Sequence, residues 1–250
     1  MVKKKLLLLG GQKKMCEMVV KARKMGYYTI VSDWYADSPA KAIADEAWDI
    51  SIADTDMLAK RIASENIDGV FTAFIDSYLE PYRALCEKSG LPCAMSRELV
   101  ELCVNKRRFK ECCARYGIET IPSYSLSGQL RAEELEALEY PVLLKPVDNS
   151  GSKGITVCSD YKEVPAGYRR ALRFSKERDV MVERFLTCDY VVAYYIVQQG
   201  EPKLAMLLDK DMNRIGRGLV PYPAAVVSPS RYAGRYEKTV DEKVCRMLKD

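Results

Sequence analysis

The sequence predicts an α/β fold in which a lobe built on a parallel sheet is followed by an α+β lobe with an antiparallel sheet. Up to residue 95, short apolar runs alternate with helical patterns, as in βαβ units. Two consecutive helical patterns then interrupt this alternation. Short apolar runs separated by polar loops follow, and these predict a second, separate sheet.

The first lobe, residues 1–95, is predicted to be Rossmann-like. Its apolar run at 6–9 is bounded by Gly10, which is typical of a buried parallel strand. Apolar residues at helical spacing then predict a helix over 12–25 that stops at Gly26. The remaining predicted strands are 27–32, 48–52 and 69–74, and the remaining predicted helices are 40–47, 55–64 and 79–88.

Residues 96–120 are predicted to be a helical linker, with one helix over 96–104 that Ser96 caps and another over 106–116. Residues 121–187 are interpreted as a small lobe and 188–250 as the start of a larger one. One antiparallel sheet is predicted from strands 141–144, 155–158, 180–183 and 191–197, with helices at 132–138, 165–176 and 236–249. No strand follows the last helix, so we expect the last lobe to be incomplete and the chain to be a fragment.

Composition restricts the chemistry that the chain can perform. Histidine is absent, which excludes a Ser-His-Asp triad, a Cys-His dyad and a histidine metal site. The net charge is only +4 and like charges form no long block, so neither nucleic acid nor a membrane surface is predicted as a partner. The nine cysteines form no C-x-x-C motif and indicate free thiols in a reducing cytoplasm. No apolar run approaches the ~18 residues of a membrane-spanning helix.

The most informative segment is YPVLLKPVDNSGSKGITV at 140–157. Lys145 ends an apolar strand, where its ammonium group must reach a partner or water. The loop that follows is rich in Gly and Ser, and such loops bind anions through their backbone N–H groups. It is not a Walker A loop, because G-x-x-x-x-G-K-[ST] occurs nowhere in the chain. ATP is therefore the leading ligand hypothesis, with a solvated lysine and a simple hairpin connection as the alternatives.

Two further units fit a nucleotide site. In VMVERFLTCDYVV at 180–192, a strand brings Glu183 to its end and a short hinge follows, whose backbone groups suit an adenine edge. Asp189, several residues later, suits the ribose hydroxyls. Lys106 and Arg107 begin a helix, where the helix dipole disfavours cations, so a nearby bound anion would be favourable. A solvated cluster of charges is the alternative for this pair.

These three units, in this order, resemble the ATP-grasp superfamily, whose members include biotin carboxylase, D-alanine–D-alanine ligase and the large subunit of carbamoyl phosphate synthetase. The resemblance covers the chain and is tightest over 104–125, 140–158 and 180–192. It implies a pre-ATP-grasp domain followed by an ATP-grasp domain. The implied ATP contacts are Lys106 and Lys145 at the phosphates, Ser150, Gly151, Ser152 and Gly154 closing over them, Glu183, Arg184, Phe185 and Leu186 at adenine, and Asp189 at ribose.

The resemblance also implies an activity. Such ligases use ATP and Mg²⁺ to activate a carboxylate as an acyl phosphate, which an amine, a thiol or a similar nucleophile attacks. The implied partners are small-molecule substrates, and a homodimer is left open. Metal ligands of the family lie in late strands, so we expect them beyond Asp250 and none in this chain. The candidates for stabilising the transferred phosphoryl group are Arg214, Arg217 and Arg231.

Some features leave alternatives open. The hinge of the family usually carries Gly-Glu where this chain has Cys188-Asp189, and the shorter acid reaches less far toward the ribose. An NAD-type oxidoreductase would use Gly10 and Asp33, but G-x-G-x-x-G is absent. A non-catalytic nucleotide-binding protein would account for the lack of metal-binding strands. The candidate positions for a substrate in the first lobe are Gly10, Gly11, Asp76 and Glu80, with loop solvation as the other role of the two acids.

Overall fold

The structure, a computed structural model, describes residues 3–215 and 218–250, with the backbone alone between 212 and 222. The chain forms two compact units, Met1–Glu101 and Leu102–Asp250. Within the described residues, none of the helices has both the length and the apolar character needed to cross a membrane.

Unit 1 is an α/β sandwich around a four-stranded parallel sheet with strand order β3-β2-β1-β4. The strands are β1 (Lys5–Leu9), β2 (Tyr28–Ser32), β3 (Glu46–Trp48) and β4 (Gly69–Thr72). The helices are α1 (Met15–Lys24), α2 (Thr55–Glu65), α3 (Leu79–Ser89) and α4 (Arg97–Val104), the last of which runs across the division between the units.

Both faces of β1 are buried, which explains its uninterrupted run of leucines. Leu7 and Leu9 belong to a core cluster with Leu58 of α2 and Leu85 of α3. Leu8 points to the other face and packs in a second cluster with Met15 of α1. The predicted buried parallel strand is therefore confirmed.

The helix predicted over 40–47 is wrong. Only a 3₁₀ turn forms, at Lys41–Ile43, and β3 begins soon after it. The buried ammonium group of Lys41 donates to the carbonyl oxygen of Asp33 (2.5 Å) and to Oδ1 of Asp49 (2.6 Å), which fixes this turn against β2. Pairing with β2 then draws Glu46–Trp48 into the sheet, so the strand ends where the sequence predicted it to begin.

Unit 2 begins with α5 (Lys106–Arg115) and contains a four-stranded antiparallel sheet of order β5-β8-β6-β7. Val142 and Leu144 of this sheet are fully buried and pack against Ala171 on a helix that covers one face. The elements of this part are β5 (Ser123–Tyr124), α6 (Ala132–Glu136), β6 (Val142–Pro146), β7 (Thr156–Cys158), α7 (Val164–Phe174) and β8 (Val180–Arg184).

A second sheet in unit 2 corrects the prediction that one antiparallel sheet extends to 191–197. That segment lies in β9 (Tyr190–Gln198), which pairs with β10 (Glu201–Ile215) and not with β8. β10 also pairs with β11 (Gly218–Val227), and the sequence predicted neither β10 nor β11. Burial does not alternate regularly over residues 201–211 of β10, and residues 224–227 of β11 are exposed, so neither strand shows the alternation by which a half-buried strand is recognised. A two-residue turn joins β9 to β10, with Gln199 at φ 53° and Gly200 at φ 79°.

The C-terminal segment is helical from Ala233 onward. It comprises α8 (Ala233–Tyr236), a π-helical turn (Glu237–Asp241) and α9 (Glu242–Lys249), so the helix begins three residues before the predicted start at 236. Tyr195 of β9 donates its hydroxyl proton to Oδ1 of Asp241 (2.6 Å), which ties this segment to the second sheet.

Candidate functional site

The register of β6 and β8 places Lys145 and Glu183 on one face of the first sheet of unit 2. Lys145 lies opposite Met181, and Glu183 lies opposite Leu143. Because side chains alternate along a strand, Glu183 and Lys145 are diagonal neighbours on the face opposite to Val142. The sheet therefore brings together a lysine and a carboxylate that are 38 positions apart in the sequence (183 − 145 = 38).

Glu183 is the centre of a buried cluster of charges. Its side chain is only 4% exposed, and its two carboxylate oxygens have different partners. Oε1 accepts from Nζ of Lys110 on α5 (2.7 Å), whereas Oε2 forms an ion pair with Nζ of Lys145. Removal of one partner from a buried ion pair typically costs 3–5 kcal/mol, because the remaining charge is left uncompensated. The cluster therefore concentrates cations at one place on the sheet.

The sequence reasoning missed Lys110. It lies one turn after Lys106 on the same helix, so the two side chains project from one face. That i, i+4 spacing was the signal by which the sequence could have indicated it. Nζ of Lys110 has three acceptors among the described residues, namely the carbonyl oxygen of Ile121, Oγ of Ser123 and Oε1 of Glu183.

The N-terminus of α5 is fixed to the end of β6. Asn105 is the N-cap, and its Oδ1 accepts from the backbone N–H groups of Arg107 (3.0 Å) and Arg108 (3.2 Å). Nζ of Lys106 donates to the carbonyl oxygen of Asn149 (2.5 Å), at the start of the Gly/Ser loop. Arg107 binds Asp179 through two guanidinium nitrogens, at 3.0 and 3.1 Å. Lys106 therefore lies at the base of the loop, whereas Arg107 has a carboxylate partner of its own.

The Gly/Ser loop, residues 149–154, is exposed at its tip and fixed at both ends. Gly151 and Ser152 have φ values of 65° and 58°, and the tip at 150–153 is exposed. Gly154, at φ 79°, is buried against Phe174, and a Cβ atom added there would lie 2.9 Å from Cβ of Phe174. Nδ2 of Asn149 donates to the carbonyl oxygen of Phe174 (2.6 Å). The predicted loop residues thus form a turn of left-handed backbone whose two ends meet at the end of α7.

Asp148, directly before the loop, fixes the start of the loop to the backbone that follows α7. Its Oδ2 accepts from the backbone N–H groups of Lys176 (2.7 Å) and Glu177 (2.8 Å). Burial by itself raises the pKa of the Asp148 carboxyl, but these hydrogen bonds and one from Ser175 outweigh it and hold the pKa below its usual value. Asp148 is therefore charged at neutral pH, and its carboxylate holds the backbone that follows α7 against the start of the loop.

The predicted adenine hinge follows β8 directly. The N–H groups of Arg184 and Phe185 donate to the carbonyl oxygens of Pro122 (3.1 Å) and Pro141 (2.9 Å). No group in the described part of the chain accepts from the N–H group of Leu186. The hinge thus has two internal bonds that hold its shape and one amide that is available to a ligand.

Asp189 and Arg231 lie together beside the second sheet of unit 2, Asp189 directly before β9 and Arg231 between β11 and α8. Asp189 accepts a hydrogen bond from the hydroxyl group of Tyr232, and the two residues line a cavity of about 330 Å³. Nε of Arg231 donates to Oδ2 of Asp209 (3.0 Å), and the nearby carboxylates of Asp209 and Asp189 raise the pKa of the guanidinium group. Arg217 and the side chain of Arg214 lie outside the described part of the chain.

Two acids of unit 1, Asp33 and Glu80, have internal partners. The N–H group of Gly11 donates to Oδ2 of Asp33 (2.6 Å), so this carboxylate closes the loop after β1. Glu80 forms an ion pair with Arg83 (2.7 Å), which lowers the pKa of its carboxyl. Across residues 3–215 and 218–250, side chains of His, Cys, Asp and Glu form no group of three or more that could hold a metal ion.

Comparison with known proteins identifies the fold that this site belongs to. Residues 105–244 match the family described as Carbamoyl-phosphate synthase L chain, ATP binding domain. The formate-dependent phosphoribosylglycinamide formyltransferase of Prochlorococcus marinus subsp. pastoris is 28% identical over 195 residues, which are 76% of this chain and 49% of that protein. The chain spans about half the length of the curated relatives it matches.

Two solved structures share the fold at low sequence identity. The biotin carboxylase domain of 2-oxoglutarate carboxylase from Hydrogenobacter thermophilus, in complex with MgADP, has a TM-score of 0.79 at 18% identity and covers 100% of this chain and 58% of its own. N5-carboxyaminoimidazole synthetase from Staphylococcus aureus, in complex with ADP, has a TM-score of 0.74 at 20% identity, with coverages of 99% and 64%. This likeness confirms the predicted fold class, in which an α/β lobe with a parallel sheet is followed by an α+β lobe with antiparallel sheets. Because the matched region includes more than half of the chain, the protein belongs to the carbamoyl-phosphate synthase L chain ATP-binding domain family, within the ATP-grasp superfamily.

Proposed function

We propose that this chain binds ATP and belongs to a ligase that activates a carboxylate as an acyl phosphate. The observation that carries the proposal is the cluster of Lys145, Glu183 and Lys110, together with the loop at 149–154, in which three residues have left-handed backbone. A triphosphate needs several cations and N–H donors close together, and this part of unit 2 supplies both. The family match includes every residue of the cluster.

In this proposal, each part of the site takes one part of the nucleotide. Lys106 and Lys145 bind the phosphates, and the loop residues Ser150, Gly151, Ser152 and Gly154 close over them. Glu183 and the hinge at 184–186 bind the adenine ring, for which the Leu186 amide is available. Asp189 binds the ribose: its Oδ2 accepts from Tyr232, and the carboxylate has further acceptor sites for a ribose hydroxyl.

The proposed reaction proceeds in two displacements. A carboxylate oxygen of the substrate attacks the γ-phosphorus atom of ATP, the bond from that phosphorus to the β,γ-bridging oxygen breaks, and ADP leaves. The nitrogen or sulfur of the second substrate then attacks the acyl carbon, loses its proton, and expels inorganic phosphate. The contribution of the protein is to position the reactants and to neutralise charge, which Lys and Arg side chains can do without histidine. Of the three candidate arginines, Arg231 is the one whose side chain the structure describes. Its proposed role is to stabilise the transferred phosphoryl group.

The described residues lack a cluster of acids that would hold magnesium. The structure of the Hydrogenobacter domain was solved with MgADP, which supports a requirement for this ion in the related fold. We propose that the protein ligands of magnesium lie outside the described residues. The same domain is a dimer in its crystal structure, so a homodimer remains a proposal for this chain. The nine free thiols support a reducing, cytoplasmic location.

Thermal unfolding in the presence of nucleotide tests the proposal. ATP at ~100 times its Kd should stabilise the chain by about 2.7 kcal/mol, because only the folded state binds it. Lys145→Ala should remove most of this stabilisation, since it removes the cation from the cluster. Lys162→Ala, which removes an exposed lysine from the same unit, should leave the stabilisation intact. An unchanged melting curve of the wild-type protein with ATP and magnesium would reject the proposal.

A non-catalytic nucleotide-binding protein is the second candidate, and the absence of an acidic metal cluster from the described residues favours it. Release of ADP separates the two candidates. The chain of 250 residues and a version extended at its C-terminus are incubated with ATP, magnesium and a mixture of carboxylates and amines. ADP formation that depends on both substrates supports the ligase, whereas nucleotide binding without ADP release in either protein supports the second candidate.

A further inference from the structure

The two lysines that bind Glu183 differ in how firmly they are held. The ammonium group of Lys110 has three acceptors, two of which lie on the segment that leads into β5 and on β5 itself. The ammonium group of Lys145 has Glu183 as its one partner within residues 3–215 and 218–250. A cation with three acceptors on separate groups is fixed in position. A cation with a single acceptor exchanges it for another anion without breaking other contacts.

The free-energy cost of moving Lys145 depends on what remains beside Glu183. The side chain of Glu183 is 4% exposed, so water cannot compensate its charge once Lys145 departs. Lys110 remains on the other carboxylate oxygen, at 2.7 Å, and keeps the charge paired. The geometry therefore separates two tasks, since one lysine neutralises Glu183 permanently and the other is available to a ligand.

We propose that Lys110 is a positioning residue that allows Lys145 to leave Glu183 for the phosphates of a bound nucleotide. This inference rests on the proposed function, in which Lys145 binds phosphate. Without nucleotide, Glu183 is paired with both lysines. With nucleotide, it is paired with Lys110 alone, because the phosphates have taken the place of Glu183 as the partner of Lys145. Lys110 does not contact the phosphates and acts through Glu183.

The first test needs no nucleotide. The rate at which a succinimidyl ester acylates Lys145 in the folded, ligand-free chain is measured by peptide mass spectrometry. In Lys110→Met, Lys145 is the sole cation on Glu183, so its acylation should slow several-fold. In Glu183→Gln the carboxylate is absent, and acylation should become faster than in the wild type. Lys110→Arg should restore the wild-type rate, and Lys162→Met serves as the control for loss of an exposed positive charge.

The second test compares ATP with adenosine by titration calorimetry. Adenosine lacks phosphates and does not require Lys145 to leave Glu183. Lys110→Met should therefore weaken ATP binding about tenfold or more and adenosine binding far less, because departure of Lys145 would strand a buried charge. Lys110→Arg should recover the ATP affinity. A purely structural role of Lys110 would lower both affinities by the same factor.

The outcomes separate this inference from the proposed function. Lys145 acylation that is unchanged or faster in a folded Lys110→Met protein overturns the inference, and so does an equal loss of ATP and adenosine affinity. If the wild type binds no ATP, the proposed function fails and the inference fails with it. ATP binding that Lys110→Met leaves unchanged overturns the inference alone. If Lys110→Met does not fold, the acylation rate of Lys145 in Glu183→Gln tests the inference instead. An unchanged rate in that variant would show that Glu183 does not restrain Lys145 and would overturn the inference.

Discussion

Glu183 and Asp148 are two acids on neighbouring segments with different surroundings. Glu183 faces two ammonium groups and is buried, whereas Asp148 faces backbone N–H groups at the end of α7. The ammonium partners can be exchanged for a ligand, but the backbone donors cannot move without unfolding the turn. Of these two acids, Glu183 is therefore the one suited to respond to ligand binding, and Asp148 is suited to hold the loop in place.

The contacts of Asp148 predict a dependence of stability on pH. Its pKa is lower in the folded state than in the unfolded chain, so its stabilising effect is complete above the unfolded value of ~3.9 and is lost as the pH falls through the folded value. We expect Asp148→Asn to lower the free energy of unfolding of unit 2 by about 1 kcal/mol at pH 7, since hydrogen bonds to charged acceptors are stronger. The difference from wild type should shrink below about pH 4. Denaturant titrations from pH 3 to 7 measure it.

Glu119→Gln is the control for Asp148→Asn, because Glu119 is exposed in the same unit. It should change the stability of unit 2 by less than about 0.5 kcal/mol at every pH. A destabilisation by Asp148→Asn that stays constant down to pH 3 would contradict the prediction, because it would show that the charge of Asp148 is not involved.

At the scale of elements, α5 places Lys106 and Lys110 against the first sheet of unit 2. Its N-cap, Asn105, is 5% exposed and also donates from Nδ2 to Oε2 of Glu177 (2.7 Å). Asn105 therefore helps to fix the start of the helix, because its side chain satisfies two N–H groups and also binds a carboxylate. The positions of the Lys106 and Lys110 side chains depend on how the helix starts, since both residues lie in its first two turns.

Replacement of the N-cap should therefore affect both stability and nucleotide affinity. We expect Asn105→Ala to destabilise unit 2 by about 1–2 kcal/mol, because two N–H groups lose their acceptor. The Kd for ATP should rise as well, because the helix that carries Lys106 and Lys110 loses its anchor. Denaturant unfolding and titration calorimetry measure the two effects.

The matched control is Asp54→Ala, which removes the N-cap of α2 in unit 1. It should lower the stability of unit 1 by a comparable amount and leave the Kd for ATP unchanged. Equal effects of the two variants on the Kd would show that the position of α5 is not what matters for binding.

At the scale of the whole molecule, each of the two units has a core of its own. Leu58 is fully buried in the core of unit 1, and Leu144 is fully buried in that of unit 2. Large-to-small substitutions in a packed core cost about 2–5 kcal/mol. Separate cores predict that such a substitution destabilises one unit and not the other.

Hydrogen exchange resolves the two units. Leu58→Ala should accelerate the exchange of amides in β1 and β4 and leave those of β6 and β8 unchanged, whereas Leu144→Ala should do the reverse. ATP should continue to slow exchange in β6 and β8 of the Leu58→Ala protein. Uniform acceleration across both units by either variant would contradict the prediction and show that the chain unfolds as a single cooperative unit.

The sequence predicted those elements best whose signals are local. Burial of a strand or of one helix face leaves a periodic pattern in the sequence. That pattern made three features recognisable: the apolar run of β1, the helical spacing of α2, and the apolar strand β6 with a lysine near its end. The turn at Lys41–Ile43 was missed because it is held by three hydrogen bonds from the buried ammonium group of Lys41. These bonds form only in the folded chain, and the local sequence does not show them. The strands β10 and β11 were missed because neither leaves such a pattern: burial does not alternate regularly over residues 201–211, and residues 224–227 are exposed.

The sequence by itself determined the order of the two lobes and the positions of Lys145, the Gly/Ser loop and the hinge, because these follow from local periodicity and motif spacing. Only the tertiary structure revealed that Glu183 shares its carboxylate between Lys145 and Lys110. The physical reason is that this contact depends on strand register and on the placement of α5 against the sheet. Both are set by packing between segments that are far apart in the chain, and no local pattern records them.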